Sequence, residues 1–208
     1  MIEFISAVYN EEAELHNLIN HVTPWVDRIN IVDDGSTDET AAILDLNFLH
    51  SGLDFHYKTI EHTGLCEVAR IKALEMCKDD SWIIMLDADE RFADRALEQI
   101  VDFCKSPTLA THIYFSQKEY IDGRQVADFA KVKVFKKSAA HLPEIIHHDP
   151  QFDGKAVNLG LTVLHRKTSS KQINREQEYK ETYQKLLNEG KVTEDDVKWF
   201  LNMHHYVR

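Results

Sequence analysis

Two carboxylates separated by one residue, Asp87 and Asp89, directly follow the apolar run Trp82–Leu86. In extended backbone such a pair can address one Mg²⁺ or Mn²⁺, because these hard cations prefer oxygen ligands and keep other positions for water or phosphate. A cation held there can bridge a diphosphate and neutralise the charge that develops as a bond to it breaks. The alternative is a solvated acidic loop, and the position after a buried strand favours the metal site.

Two further polar clusters follow apolar segments. Tyr9–Glu12 follows Phe4–Val8, and Asp33–Asp38 follows Ile29–Val32. Ligands of open α/β sheets bind at the carboxyl ends of strands, so we expect all three clusters to face one crevice. The second cluster also has the composition of a turn and helix cap. Its two adjacent carboxylates nevertheless repel each other unless a donor bonds to them, as the N–H and O–H groups of uracil or ribose would.

The elements that position these clusters alternate between strand and helix, the pattern of a mainly parallel sheet. The run after Ser81 suits a central strand buried on both faces, and Ser36 followed by Glu39 predicts a capping box that starts a helix. In chain order we expect strand 4–8, helix 11–22, strand 29–32, a helix ending near Leu49, strand 53–60, helix 67–77 with Val68, Ile71 and Leu74 facing inward, and strand 82–86.

The second half of the chain has a different pattern. After a helix marked by apolar residues from Leu97 to Cys104, strands of antiparallel type are expected at 111–121, 131–136 and 160–164. From Asn174 the chain is charged and helix-prone, and Gly190 is expected to separate two helices. The sequence thus predicts an α/β domain over residues 1–172, with a small antiparallel region, and a helical extension over 173–208 packed on it.

Bulk properties narrow the classes of partner. The net charge of −11 opposes nonspecific attraction to nucleic acids and anionic lipid surfaces. Cys66, Cys77 and Cys104 lack metal-ligand spacing and fit reduced thiols. No apolar run is long enough to cross a bilayer, and the N-terminus lacks an export pattern. We therefore expect a cytoplasmic protein without a transmembrane segment, either monomeric or homodimeric.

Four motifs together carry a family resemblance. They are Val8-Tyr9-Asn10-Glu11-Glu12, then Ile31-Val32-Asp33-Asp34-Gly35-Ser36-Thr37-Asp38-Glu39-Thr40, then Gly64 with Ala69-Arg70, and finally Met85-Leu86-Asp87-Ala88-Asp89-Glu90. Each is weak alone, whereas the ordered set resembles the family 2 glycosyltransferases of GT-A fold. The resemblance covers about the first half of the chain and implies a Rossmann-like, mainly parallel sheet.

The resemblance also implies roles for individual residues. It places Asp87 and Asp89 as the DxD pair that holds Mn²⁺ or Mg²⁺, with Asp89 favoured as the direct ligand and Asp87 as a ribose contact. The sequence leaves both assignments open. Family members often have an asparagine directly after the arginine that Arg70 matches. This chain has Ile71 there, which removes one polar contact. The implied contacts to the donor nucleotide are Ala7, Tyr9, Asn10, Glu11, Asp33, Asp34, Gly64, Arg70, Asp87 and Ala88.

The acceptor side offers histidines at places similar to those in relatives. His165, at the end of a strand, is expected to complete the metal shell through one ring nitrogen. Relatives follow an earlier histidine with an acid, but here His147 is followed by His148. An inverting transfer needs a general base beside the acceptor hydroxyl, and His148, Asp149 and Glu144 are the candidates, with Asp149 favoured.

The resemblance implies an inverting, metal-dependent transfer of a sugar from a nucleotide diphosphate sugar, with a UDP-sugar favoured. The acceptor remains open among glycan, lipid, protein and modified nucleic acid. One alternative is a sugar nucleotidyltransferase, although Ala7–Glu12 lacks the glycine and the basic residue of its phosphate loop. Another is a noncatalytic binding or assembly module, favoured by the departures at Ile71 and His148.

Overall fold

The computed structural model describes residues 1–143 and 150–203, with backbone alone for residues 199–203. The chain forms two compact units, Met1–Arg166 and Lys167–Arg208. Residue 172, the end of the domain expected from the sequence, lies within a helix of the second unit, Ser169–Asn188. Packing of the helical extension on the first unit stays a prediction.

Ten strands are described in the first unit and at its end. In chain order the described strands are β1 (Ile2–Val8), β2 (Arg28–Asp33), β3 (Asp54–Thr59), β4 (Trp82–Met85), β5 (Glu90–Phe92), β6 (Ala110–Ile121), β7 (Arg124–Lys136), β8 (Ala140–His141), β9 (Gln151–Phe152) and β10 (Lys155–Lys167). Within the described residues, eight of them form one sheet in the order β3-β2-β1-β4-β7-β6-β10-β5, and β8 pairs with β9 separately.

The sheet changes direction in its middle. Strand β1 is parallel to β2 and β4, and β2 is parallel to β3. Beyond β4 the pairing is antiparallel between β4 and β7, between β7 and β6, and between β10 and β5. The predicted α/β class is therefore confirmed, because a parallel half, whose strands end in the three polar clusters, continues into an antiparallel half.

Helices of the first unit cover both faces of this sheet. They are α1 (Leu15–Val22), α2 (Thr40–His50), α3 (Cys66–Glu75) and α4 (Ala96–Lys105). The second unit contains α5 (Ser169–Asn188) and α6 (Glu194–Met203). Phe4 and Ile84 pack with the buried residues of α1 and α4, whereas Ile5 and Ile83 pack with the alanines of α3. Alternate residues of β1 and β4 thus face opposite sides, as strand geometry requires.

The predicted capping box at Ser36 is wrong. Helix α2 begins at Thr40, and the Thr40 N–H donates to Asp38 Oδ1 at 2.9 Å. The Ser36 hydroxyl instead donates to Asp33 Oδ1 at 2.5 Å and accepts from the Asn10 N–H at 2.9 Å. A cap pattern in sequence does not reveal that a neighbouring loop competes for the same hydroxyl.

The inward face of α3 also differs from the expectation. Ala69 and Ala73 are fully buried, whereas Val68, Ile71 and Leu74 are half-buried. Small residues face the sheet here because they let the helix backbone approach the strands closely. The apolar periodicity alone pointed to the larger side chains.

Some strands depart from the prediction. Strands β7 and β10 each begin well before the expected position, and β5, β8 and β9 were not predicted. Because β5 is short and carries charged residues, its sequence resembles the end of an acidic loop. Its pairing with β10 is what makes it a strand.

The three cysteines are free thiols. Burial raises the pKa of the Cys66, Cys77 and Cys104 thiols to about 12. They therefore remain protonated at neutral pH and behave as small apolar side chains.

The second unit contains α5 and α6, separated at Gly190 as predicted, where φ is +70°. The Thr168 hydroxyl accepts from the Lys171 N–H at 3.2 Å and caps α5. No helix in the described part of the chain is long and apolar enough to span a membrane.

Candidate active site

The three polar clusters lie at the same edge of the sheet, where β1, β2 and β4 end. Hydrogen bonds join the first two clusters, because the Asn10 N–H donates to Ser36 Oγ at 2.9 Å and Asn10 Oδ1 accepts from the Thr37 N–H at 2.8 Å. The Ser6 hydroxyl donates to the Leu86 carbonyl at 2.8 Å, which fixes the end of β1 beside the start of the third cluster. The three clusters therefore share one edge of the sheet, and a crevice that all three face stays a prediction.

Asp33 and Asp34 have partners within the chain. Asp33 Oδ1 accepts from the N–H and hydroxyl of Ser36 at 3.0 and 2.5 Å. Asp34 Oδ1 accepts from the N–H and hydroxyl of Thr63 at 2.9 Å, and its Oδ2 accepts from the Gly64 N–H at 3.2 Å. Donors within the chain therefore already bond to both carboxylates, and their contact with a nucleoside stays a prediction.

An aromatic pair lies beside Asp34. The rings of Tyr9 and His62 are stacked, with centroids 4.1 Å apart and planes inclined by 20°. His62 Nδ1 lies 2.8 Å from the Asp34 carbonyl oxygen and 3.1 Å from Asp34 Oδ2. Two of the implied donor contacts, Tyr9 and Asp34, therefore lie against one histidine that the sequence did not single out.

The remaining donor-contact candidates near β1 and β4 are largely inside the protein. Glu11 is 6% exposed, and its N–H donates to Thr40 Oγ1 at 2.8 Å. Ala88 packs in the core, and its carbonyl accepts from Arg91 Nη1 at 2.6 Å. Ala7 is half-buried near the end of β1. Contacts of these residues to a donor stay predictions.

Arg70 and Asp87 form an ion pair between α3 and the end of β4. Arg70 Nη2 lies 2.5 Å from Asp87 Oδ1, and Arg70 Nη1 lies 3.5 Å from Glu67 Oε1. Burial alone would raise the pKa of Asp87, but the charges of Arg70, Lys133 and His165 lower it well below its usual range. Asp87 therefore stays ionised. Arg70 Nε is buried and has no hydrogen-bond partner among the residues that the structure describes.

Asp89 and His165 meet across the pairing of β5 with β10. Glu90 is opposite His165 in that pairing, and the Arg166 N–H donates to the Asp89 carbonyl at 3.0 Å. Asp89 Oδ1 consequently lies 3.1 Å from His165 Nε2, with both residues less than 10% exposed. The structure thus brings together two of the three predicted metal ligands, Asp89 and His165.

The Asp89 and His165 pair fits a divalent cation. Two ligands in adjacent octahedral positions about 2.1 Å from an ion lie about 3 Å apart, and the pair has that spacing at 3.1 Å. Among the described residues no group of three His, Cys, Asp or Glu side chains is arranged to hold a metal, and Asp87 is engaged by Arg70. Mg²⁺ and Mn²⁺ commonly fill their other positions with water and substrate phosphate, so two protein ligands are compatible with such an ion.

His165 has carboxylate and amide neighbours on its second nitrogen. Nδ1 lies 3.1 Å from Glu119 Oε1 and 3.2 Å from Gln117 Nε2, both on β6. A carboxylate at one ring nitrogen fixes the tautomer in which the other nitrogen is free to bind a metal. Glu119 therefore orients Nε2 of His165 toward Asp89.

Lys133 and Glu90 form a buried ion pair that the sequence reading missed. Lys133 Nζ lies 2.7 and 2.6 Å from the two carboxylate oxygens of Glu90, which is fully buried. The alternation of Lys131 and Lys133 with valines predicts only a strand with one solvated lysine face. No local signal indicates that one of these lysines points into the protein.

The predicted general bases Glu144, His148 and Asp149, together with His147, lie outside the described residues. Their assignment stays a prediction.

Comparison with protein families identifies the chain. The family model of glycosyl transferase family 2 matches residues 4–162, which is most of the chain and includes all three polar clusters. The chain belongs to glycosyl transferase family 2. The resemblance noted from the four motifs is confirmed, and this family 2 chain is a glycosyltransferase. His165 lies just beyond the matched range.

Solved structures share the fold of this family 2 chain. Staphylococcus aureus TarS 1–349 in complex with UDP-GlcNAc is 14% identical with a TM-score of 0.63, over 99% of this chain and 73% of that one. The mannosyltransferase PcManGT from Pyrobaculum calidifontis, in complex with GDP-Man and Mn²⁺, is 15% identical with a TM-score of 0.60, over 99% and 69%. The predicted GT-A fold is confirmed. Comparison with curated proteins finds no match.

Proposed function

We propose that this protein transfers a sugar, with inversion, from a nucleoside diphosphate sugar to an acceptor hydroxyl, and that it requires Mn²⁺ or Mg²⁺. A UDP-sugar is the favoured donor. Family membership supports glycosyl transfer, and the observation that carries the proposal is the 3.1 Å approach of Asp89 to His165 at the carboxyl edge of the parallel strands. Solved structures of the same fold contain UDP-GlcNAc in one case and GDP-Man with Mn²⁺ in another.

In this proposal Asp89 and His165 hold the cation, which supplies charge neutralisation at the departing nucleoside diphosphate. Asp87 faces the donor ribose, and Arg70 keeps that carboxylate ionised and in place. Tyr9, Asn10, Glu11, Asp33, Asp34 and Gly64 surround the nucleoside. The Arg70 Nε–H, which has no partner within the described part of the chain, supports the binding of a donor phosphate nearby, because a buried donor without a partner is costly.

A general base completes the reaction by removing the proton of the acceptor hydroxyl as the new glycosidic bond forms. Asp149 is the favoured base, with His148 and Glu144 as alternatives. The acceptor is a glycan, lipid, protein or modified nucleic acid.

The purified protein tests this proposal directly. Incubation with Mn²⁺ and a panel of UDP-, GDP- and dTDP-sugars should release the nucleoside diphosphate slowly from one donor, because water replaces the missing acceptor. Asp89→Ala should reduce the release by roughly 100-fold or more, since a cation contributes several kcal/mol of charge stabilisation. Asp80→Ala is a matched control, because Asp80 is exposed and lies just before the first residue of β4, at the end opposite the Asp87–Asp89 loop.

Release of nucleoside diphosphate by Asp89→Ala at the wild-type rate would remove the metal assignment. Failure of the wild-type protein to cleave any donor in the panel would instead favour the noncatalytic module.

A further inference from the structure

A β-bulge in β7 gives Lys133 its position. In the pairing of β6 with β7, Ile113 is opposite Val134 and Tyr114 is opposite Val132, so Lys133 has no partner on β6. A bulge re-aims the side chain of the extra residue, and bulges are frequent beside active sites. Here the re-aimed ammonium group reaches the Glu90 carboxylate across the sheet at 2.6 Å.

Glu90 connects this lysine to the Asp87–Asp89 loop. Glu90 Oε2 accepts from the Asp87 N–H at 3.0 Å while both of its carboxylate oxygens bind Lys133. Glu90 Oε1 also lies 3.8 Å from His165 Nδ1. The Glu90 carboxylate therefore contacts Asp87, the first residue of the loop. It also lies beside His165, which contacts Asp89, the last residue of the loop.

The fold alone does not account for this arrangement. Lys133 is 8% exposed and Glu90 is fully buried, and apolar residues of similar volume stabilise a protein as well as a buried ion pair or better. The ion pair offers something that apolar residues cannot, namely an oriented acceptor for the Asp87 N–H. That hydrogen bond fixes the backbone of the loop at the residue paired with Arg70.

We infer that Lys133 and Glu90 are positioning residues that hold the Asp87–Asp89 loop in the geometry that binds Mn²⁺ and a nucleoside diphosphate. This inference rests on the proposed function and adds two residues to it. Lys133 neutralises Glu90 and orients its carboxylate, and Glu90 orients the loop. Neither side chain contacts the donor.

The test separates loop geometry from stability. The double variant Glu90→Leu with Lys133→Met removes both charges, so no buried charge is left unpaired. The free energy of unfolding of this variant should fall by no more than the cost of the Asp87 N–H that loses its acceptor. Its affinity for Mn²⁺ in the presence of UDP, measured by electron paramagnetic resonance of free Mn²⁺, should fall about 10-fold or more, as for other residues that orient metal ligands.

A second double variant provides a rescue. Glu90→Gln with Lys133→Met is also neutral but retains a carbonyl oxygen that can accept from the Asp87 N–H, so it should bind Mn²⁺ more tightly than the leucine variant. Lys137→Met is the matched control. Lys137 directly follows β7 and forms an ion pair with Asp79, which precedes the first residue of β4 and so lies away from the Asp87–Asp89 loop. It should leave Mn²⁺ affinity unchanged.

Two outcomes would overturn the inference alone, given a wild-type protein that binds Mn²⁺ with UDP. One is a folded leucine variant with wild-type Mn²⁺ affinity. The other is a leucine variant that does not fold, which would assign the pair to the fold. A wild-type protein that binds no Mn²⁺ would overturn the proposed function and this inference together.

Discussion

Asp87 and Asp89 are separated by one residue but have different partners. Asp87 pairs with Arg70 on α3, whereas Asp89 lies 3.1 Å from His165 on β10. The alanine between them is buried in the core, which turns the two carboxylates toward different neighbours. Asp87 is thus held by a cation of the protein, whereas Asp89 is the carboxylate that we propose as the metal ligand.

The Asp87–Arg70 pair predicts a pH-dependent contribution to stability. Because the folded-state pKa of Asp87 lies below its ordinary value of 3.8, the contribution is complete above that value and is lost as pH falls through the folded-state pKa. Asp87→Asn should lower the free energy of unfolding by roughly 1–3 kcal/mol at pH 7, between exposed and fully buried pairs. Urea denaturation should show the difference shrinking below about pH 4.

Glu98→Gln is the control for that series, because its pair with Arg95 is exposed and should contribute little. A difference between wild type and Asp87→Asn that stays constant from neutral to acid pH would contradict the linkage to Asp87.

At the residue scale, the sequence predicts functional residues whose partners are close to them in the chain. The spacing of Asp87 and Asp89 is visible in the chain, and their position after a buried strand favours the metal site that we propose. Lys133 and Glu119 have no such signal, because their roles arise from a bulge and from strand pairing with residues far along the chain. His62 was missed for the same reason, since it meets Tyr9 only in the folded chain.

At the element scale, the turn between β2 and α2 depends on one glycine. Gly35 has a φ of +76°, and a Cβ there would lie 2.9 Å from the backbone nitrogen of His62. The turn therefore requires both a left-handed backbone and a close approach to the β3–α3 connection. This approach brings His62 to Asp34 and Tyr9.

Gly35→Ala tests the close approach against a matched glycine. Gly52 has a φ of +65° with nothing near its added Cβ, so Gly52→Ala should cost about 1 kcal/mol from backbone strain alone. Gly35→Ala should cost roughly 1–3 kcal/mol more, because the methyl group also overpacks the turn. Urea denaturation of both variants provides the comparison, and equal costs would show that contact with His62 is unimportant.

Helices and strands were predictable from the sequence where their apolar residues recur at the spacing of a buried helix face or strand. The strands of the parallel half and the break at Gly190 follow from apolar runs and a left-handed glycine. The start of α2 and the inward face of α3 were not, because competing hydrogen bonds and close packing decided them. Strand β5 owes its existence to β10, so no local pattern reveals it.

At the scale of the whole molecule, sheet order brings the site together. Strands β2, β1 and β4 are adjacent and parallel, so their polar ends share one edge. The antiparallel half then returns β10 to the far side of β6, where β5 pairs with it and His165 reaches Asp89. The parallel half follows from the alternating pattern of the sequence, whereas the return of β10 depends on long-range pairing.

The central claim is a cation shared between Asp89, His165 and a nucleoside diphosphate. Thermal unfolding of the protein with UDP, in the presence of Mn²⁺ or of EDTA, tests it most directly. With UDP at 100 times its dissociation constant, native-state binding adds about 2.7 kcal/mol, which corresponds to a rise in Tm of about 5 °C or more. We expect UDP to raise the Tm in Mn²⁺ but not in EDTA. We expect Asp89→Asn to abolish the rise in Mn²⁺. An equal rise in EDTA, or a full rise in Asp89→Asn, would contradict the account.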